Sequence, residues 1–316
     1  MAFLKIVKNI YEVKSSNLAK SYIIIGSFFL FSVVVIYVLT KAFGYYTGYV
    51  PGGLGYFGIA FLFSGITTFF SYYFSDKIVL TLSNAHPVQK REYFNFYTAV
   101  ENLCIAKGMP IPKLYVIHDS APNAFATGRN SEHSVICVTT GLLGKLDKTE
   151  LEGVLAHELT HINNYDMLLM SVVSVMVGII ALLGDWLLRA SFFGRGKSHD
   201  DNKGQLGAII LVLGLVFAIL APIVSQLIQL AISRRREFMA DAGSVEITRQ
   251  PSGLISALAK LDSDSEPLEA ANKATAHLYI VNPFKNNIKG AVGWFSGLFN
   301  THPPIAERIR ALKDMA

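Results

Sequence analysis

Charge is the scarcest ingredient of this chain: Asp, Glu, Lys and Arg make up 16% of its 316 residues, against roughly a quarter in soluble globular proteins. With 52% of residues hydrophobic, so little charge cannot cover a wholly water-facing surface, which excludes an ordinary soluble multidomain protein. Cysteine is equally sparse. Cys104 and Cys137 are too few for a secreted disulfide framework and do not form a close metal-binding pair, so they read as structural thiols in a reducing compartment. The net charge of +5 is dispersed, and the one basic run, Arg234 to Arg236, directly follows an apolar stretch. That placement suits a membrane surface and argues against a nucleic-acid partner. Internal repeats and extended low-complexity segments are absent.

Long hydrophobic runs are what the sequence has in abundance. Ser21 to Thr40 contains no charge in its interior, and about 20 residues at a rise of ~1.5 Å match the ~30 Å hydrocarbon core of a bilayer. Its apolar core exceeds that of a signal peptide and no small-residue cleavage site follows, so it is expected to be retained. Pro51, Gly52, Gly53 and Gly55 mark a turn, after which Tyr56 to Ser75 supplies a second uncharged run. Met167 to Leu188 and Leu206 to Ser233 form a second pair, the former carrying Asp185 and the latter Pro222, Gln226 and Gln229. The expected architecture is a mainly α integral membrane protein with four hydrophobic helices in two hairpins and a small α+β, zincin-like (gluzincin) catalytic domain. Its parts are an N-terminal hairpin over 1–75, the first catalytic segment over 76–166, the second hairpin over 167–233 and the second catalytic segment over 234–316.

Lys5, Lys8, Lys14 and Lys20 precede the first run with only Glu12 against them, whereas the first loop holds Lys41 alone. By the positive-inside rule the amino terminus is cytoplasmic, and an even number of crossings returns both polar blocks to that side. Arg189, Arg195, Lys197 and Lys203, partly offset by Asp200 and Asp201, lie in the loop of the second pair and oppose its full crossing. Between the pairs, KLYVIHD and SVICVTTG read as strands, and Tyr93 to Lys107 and Thr149 to Tyr165 read as helices.

Residues 157 to 161 are His-Glu-Leu-Thr-His, set in an amphipathic stretch whose Leu151, Leu155, Leu159 and Ile162 make the opposing face. Histidines at i and i+4 stand one turn apart on a helix and can share one zinc ion, and the adjacent Glu158 can act on a water molecule as general base. A catalytic zinc takes three protein ligands and keeps a fourth position open. Glu237 is the candidate third ligand, and Asp241, one turn later, can accept a hydrogen bond from a ligating histidine and fix its tautomer.

On His157-Glu-Leu-Thr-His161, Asn164-Tyr-Asp166, Arg236-Glu-Phe-Met-Ala-Asp241 and Thr301-His-Pro-Pro304, the chain resembles the HtpX-type membrane metalloproteases, relatives of the CAAX prenyl endopeptidases. The resemblance spans nearly the whole chain. It implies a zinc-dependent endopeptidase that cuts membrane or misfolded proteins in protein quality control at the bacterial inner membrane, multi-pass, with its active site facing the cytoplasm. At the matching positions it makes His157, His161 and Glu237 the ligands of one zinc ion, Glu158 the general base, and Asp241 and Asp166 supporting groups. It further makes His302 and Arg308 a pair that stabilises the oxyanion, and Asn123, Ala124, Phe125 and Ala126 part of a strand that pairs with extended substrate. Protein substrates and the lipid bilayer are the expected partners.

His161 lies six residues before Met167, and Glu237 four after Ser233, so the metal is expected close to the membrane surface. Gln226, Gln229, Ser233 and Glu237 follow helical spacing and read either as the wall of a hydrated groove or as helix-to-helix hydrogen-bonding groups. Trp294, Phe295, Leu298 and Phe299 read as an interfacial anchor or as a packed cluster. The competing functional reading is a membrane scaffold or binding protein with a non-catalytic zinc site. A base beside the first histidine and only three candidate ligands weigh against it. A transporter would need a paired inverted repeat, which the sequence lacks.

Overall fold

The computed structural model describes residues 10–47, 55–175, 234–271, 275–283 and 303–316. It opens with α1 (Ile10–Thr47) and α2 (Gly55–Tyr73), two helices long and apolar enough to cross a membrane. α1 runs beyond the uncharged core at both ends, because the flanking Lys and Glu residues are good helix formers that keep the backbone bonded outside the apolar zone. The two helices pack together, with Phe29 edge-on to Phe61 at 5.2 Å between ring centroids. Large residues remain on their outer faces, among them Tyr22, Ile23 and Leu30 of α1 and Leu62, Phe63 and Phe69 of α2. Most of the second hydrophobic pair lies outside the described residues.

α3 (Ser75–Leu82) continues from α2 and leads to the α+β part, through β1 (His86–Pro87), α4 (Phe94–Lys107), β2 (Lys113–Ile117), β3 (Ala124–Asn130) and β4 (His133–Thr139). α5 (Thr140–Lys145), α6 (Lys148–Asn163) and the apolar helix α7 (Asp166–Val175) follow, then α8 (Arg234–Thr248), α9 (Pro251–Ser263) and α10 (Ile305–Lys313). The strands form one sheet in the order β1-β2-β4-β3, with β2 parallel to β4 and the other pairs antiparallel. β3 is irregular between Gly128 and Asn130, just before the hairpin turn at Ser131 and Glu132, and Gly128 there has a φ of +136° that only glycine adopts freely.

Side chains alternate across a strand, and here both faces are covered. Leu114, Val116, Ala124, Ala126, Ile136 and Val138 join a core with Phe96 of α4, Val154, Leu155 and Leu159 of α6 and Leu258 of α9. Ile117, Phe125, Val135 and Cys137 face the other way, onto Ile24 and Phe28 of α1, Val79 of α3 and Leu168, Leu169 and Val172 of α7. A sheet buried on both faces needs continuous apolar strands, which explains why SVICVTT reads as an unbroken run. Cys104 and Cys137 are buried free thiols, matching their structural reading. The sheet thus joins α4, α6 and α9 on one face to α1, α3 and α7 on the other.

Candidate metal centre

α6 starts on a capping box. Asp147 accepts from the Glu150 backbone N–H at 2.9 Å, and the Glu150 carboxylate accepts from the Asp147 N–H at 2.8 Å. Glu150 also takes hydrogen bonds from Ser256 (2.6 Å) and Lys260 (2.7 Å) of α9, so the start of the helix is clamped to its neighbour. The helix ends at Asn164. Tyr165 follows with a φ of +60°, a left-handed conformation that is costly for a side chain other than glycine and is tolerated where the surroundings enforce it. That turn folds the Asp166 carboxylate back against the helix it has just left.

His157 and His161 share the buried face of α6, and their Nε2 atoms lie 3.1 Å apart. Each Nδ1 is 3.0 Å from a carboxylate, Asp241 for His157 and Asp166 for His161. A carboxylate only accepts, so both Nδ1 atoms carry hydrogen and both Nε2 lone pairs are turned toward one point. Glu237, from α8, brings its oxygens to 3.8 Å from His157 Nε2 and 3.6 Å from His161 Nε2. One donor atom from each of the three residues falls within 4.8 Å of the other two.

Two features show that this set fits a divalent cation. First, acceptor nitrogens 3.1 Å apart repel unless something positive lies between them. Burial, together with the nearby Arg308 and His161 charges, lowers His157 to about 4. Burial would lower His161 too, but the Asp166 hydrogen bond and the Glu237 charge outweigh it and raise that ring to about 9. A positive charge held between the two Nε2 atoms, such as a cation would supply, relieves that repulsion. Second, the carboxylates of Glu158, Asp166, Glu237 and Asp241 are balanced among these buried side chains by the guanidiniums of Arg236 and Arg308. Acidic groups thus outnumber the two guanidiniums, a surplus that a cation at the histidines would offset.

Glu158 is buried beside the histidines, where burial, with Glu237 adding to it, raises its carboxyl to about 7, and it accepts a hydrogen bond from the Ala126 backbone. Arg308 is fully buried and grips Asp241 with two nitrogens, Nε at 2.9 Å and Nη2 at 2.6 Å. Its Nη1 lies 3.4 Å from Glu237 and donates to the Ile280 carbonyl at 3.3 Å. Arg308 thus reaches the cluster through the carboxylates that flank the histidines. His302 lies outside the described residues, as do Gln226, Gln229, Ser233 and the aromatic group at 294–299.

Asn123 and, on β3, Ala124 to Ala126 run past α6 along the edge strand of the sheet. Part of that edge is taken by the chain itself. Ile280 donates its backbone N–H to the Ala124 carbonyl at 3.0 Å, and the Asn123 amide donates to the Val281 carbonyl at 3.1 Å. The Gly128 N–H donates to Ser171 of α7 at 3.2 Å. Sequence reasoning did not anticipate the 280–281 segment, since nothing local marks an irregular stretch as a pairing partner. It also missed Asn17 of α1, which is buried and donates from Nδ2 to Asp166 at 2.7 Å and to the Asn164 carbonyl at 3.0 Å.

An α/β core bearing an HExxH helix, a carboxylate from a following helix and aspartates behind the histidines defines the class as a metallopeptidase. The model of peptidase family M48 matches residues 95–316. Proteins described as "Protease HtpX homolog" are similar over most of the chain. The relative from Thermoanaerobacter pseudethanolicus is 42% identical over 309 residues, 98% of each chain. That from Dictyoglomus thermophilum is 44% identical, covering 96% of this chain and 94% of the relative, and that from Thermococcus kodakarensis is 43% identical, covering 85% and 90%. The crystal structure of S. mikatae Ste24p is similar at a TM-score of 0.47 and 19% identity, covering 98% of this chain and 67% of that one. The chain belongs to peptidase family M48, among the HtpX-type membrane metalloproteases.

Proposed function

We propose that the protein is a zinc-dependent endopeptidase in which His157, His161 and Glu237 hold one zinc ion and Glu158 is the general base. The observation that carries this reading is the convergence of two buried Nε2 lone pairs, each oriented by an aspartate, on a point also reached by Glu237. A zinc ion there supplies Lewis-acid activation of water and of the scissile carbonyl. Glu158 removes a proton from the attacking water and passes one to the leaving amine. Asp241 and Asp166 keep the imidazoles in the Nδ1–H tautomer, and Arg308 fixes Asp241 and leans on Glu237. His302, which the family resemblance pairs with Arg308, is assigned to the oxyanion.

Substrate main chain pairs with β3 around Ala126, whose backbone meets Glu158, because the Asn123 and Ala124 end is engaged by Ile280 and Val281. The natural substrates are membrane or misfolded proteins, in line with a quality-control role. Four hydrophobic segments in two hairpins divide the catalytic part into 76–166 and 234–316, and the protein sits multi-pass in a bacterial cytoplasmic membrane. Two contacts support an active site on the cytoplasmic face. Asn17, near the lysine-rich start of α1, touches Asp166, and Tyr73 at the end of α2 lies under the Arg129 guanidinium of β3. Both open ends of the first hairpin therefore meet the catalytic part on the side where the positive-inside rule puts the amino terminus.

The test is purification in detergent, removal of metal by a chelator, add-back of zinc, and cleavage of an unfolded membrane protein. Loss and recovery of cleavage, with one zinc per chain, is the expected result. Failure to recover cleavage with any divalent metal would favour a scaffold whose site is not catalytic.

A further inference from the structure

Asp166 is a meeting point of three elements. Its Oδ2 holds His161 Nδ1 at 3.0 Å, while its Oδ1 receives Asn17 Nδ2 of α1 at 2.7 Å and has Arg236 Nε of α8 at 3.5 Å. Asn17 is the short, direct contact of the two. Its amide nitrogen has two hydrogens, and both of its partners, the Asp166 carboxylate and the Asn164 carbonyl, are acceptors. The orientation of the amide is therefore forced: the nitrogen must point at them. Asn17 is 2% exposed and Asp166 is 1% exposed, so water is a poor substitute for the lost donor.

The position of Asn17 adds to this. It lies in the apolar stretch Ser15–Tyr37 that is long enough to cross a membrane, on a helix whose Ile24 and Phe28 also line the core on the membrane side of the sheet. Asn164 ends the helix that carries both histidines, so a single amide pins the end of that helix and the carboxylate that orients its second histidine.

We infer that Asn17 is a positioning residue: from the first membrane helix it sets Asp166, and through Asp166 the His161 imidazole, so tight metal binding depends on the docking of that helix. The inference rests on His157, His161 and Glu237 being the metal ligands. Groups that hold a ligating histidine typically change metal affinity 10- to 100-fold when removed, and one step further out about 3- to 10-fold is expected.

The experiment uses the full chain in detergent micelles, with zinc affinity measured by competition against a chromophoric chelator and apo-state unfolding measured alongside. Asn17→Ala and the isosteric Asn17→Asp, which removes both donors and sets a second carboxylate against Asp166, should weaken zinc binding by about 3- to 10-fold or more. Ser21→Ala, one turn further along α1, whose hydroxyl donates to the Asn17 backbone carbonyl and not to its amide, should leave it unchanged. In an Asp166→Ala background, Asn17→Ala should cause no further loss. Parental zinc affinity in Asn17→Ala, with only the apo unfolding midpoint lowered, overturns the proposal, as does a fully additive loss in the double variant. If Asn17→Ala does not fold, Asn17→Ser, which keeps one donor, takes its place against the same criteria. A parent protein that binds no zinc would instead overturn the ligand assignment beneath it.

Discussion

Gly243 of α8 lies directly against Thr160 of α6, so closely that a Cβ built on the glycine would fall 2.4 Å from the threonine Cγ2 and 3.0 Å from its Cβ. Thr160 cannot swing aside freely, because its hydroxyl donates to the Ala156 carbonyl at 2.8 Å. This close approach brings the helix of Glu237 within reach of the histidines. Replacing Gly243 by alanine gains about 1 kcal/mol of helix propensity, but overpacking of this kind costs about 1–3 kcal/mol and pushes Glu237 outward. Gly243→Ala should lower the unfolding midpoint and weaken zinc retention against a chelator. A variant as stable and as zinc-tight as the parent would show that the helices can separate without loss.

In the proposed mechanism Glu158 transfers protons and does not hold the metal. Glu158→Gln keeps the shape of the side chain and should leave one zinc per chain, measured by atomic absorption, while cleavage of a model membrane substrate falls by at least about 100-fold. Cleavage at the parental rate would remove Glu158 from the mechanism.

Arg308 and Asp241 form a two-pronged ion pair with both side chains fully buried. Deleting one partner of such a pair leaves the other charge uncompensated and costs about 3–5 kcal/mol. Arg308→Ala should therefore destabilise the metal-free protein by that order in denaturant unfolding. Arg308→Lys keeps the charge without the planar fork and should fall between. Equal stability of all three would mean that Asp241 finds another partner.

Glu150 supplies a pH-dependent part of the stability. Burial would raise its carboxyl, but hydrogen bonds from Lys260, Ser256 and the Asp147 N–H outweigh that and hold it below 4.5. Because the folded value lies below the unfolded one, the contribution is complete above about 4.5 and fades as pH falls through the lower folded value. Glu150→Gln should cost about 1–2 kcal/mol at neutral pH, and the gap from the parent should narrow below about pH 4. A gap independent of pH would place the effect in packing.

The parts of the site legible in sequence are those whose geometry is local. A spacing of four puts His157 and His161 on one helix face, and the same spacing sets Asp241 one turn beyond Glu237. The strands were legible because burial on both faces forces unbroken apolar runs such as Val135 to Val138. Asn17 could not be found this way: 149 residues separate it from Asp166, and one asparagine near the start of an apolar helix carries no periodic signal. The pairing of Ile280 with Ala124 was hidden for the same reason, since an irregular segment is placed by the tertiary fold alone. Arg308 was legible as a member of the site, but its two-pronged hold on Asp241 depends on α10 docking against α8.

The buried pocket draws on both ends of the chain, from Asn17 to Arg308. A ribosome delivers these groups in order, so a nascent chain that has emerged only as far as α7 carries the histidine helix without Glu237, Asp241 or Arg308. The group of His157, His161 and Glu237 therefore cannot come together before α8 has been made and has folded back.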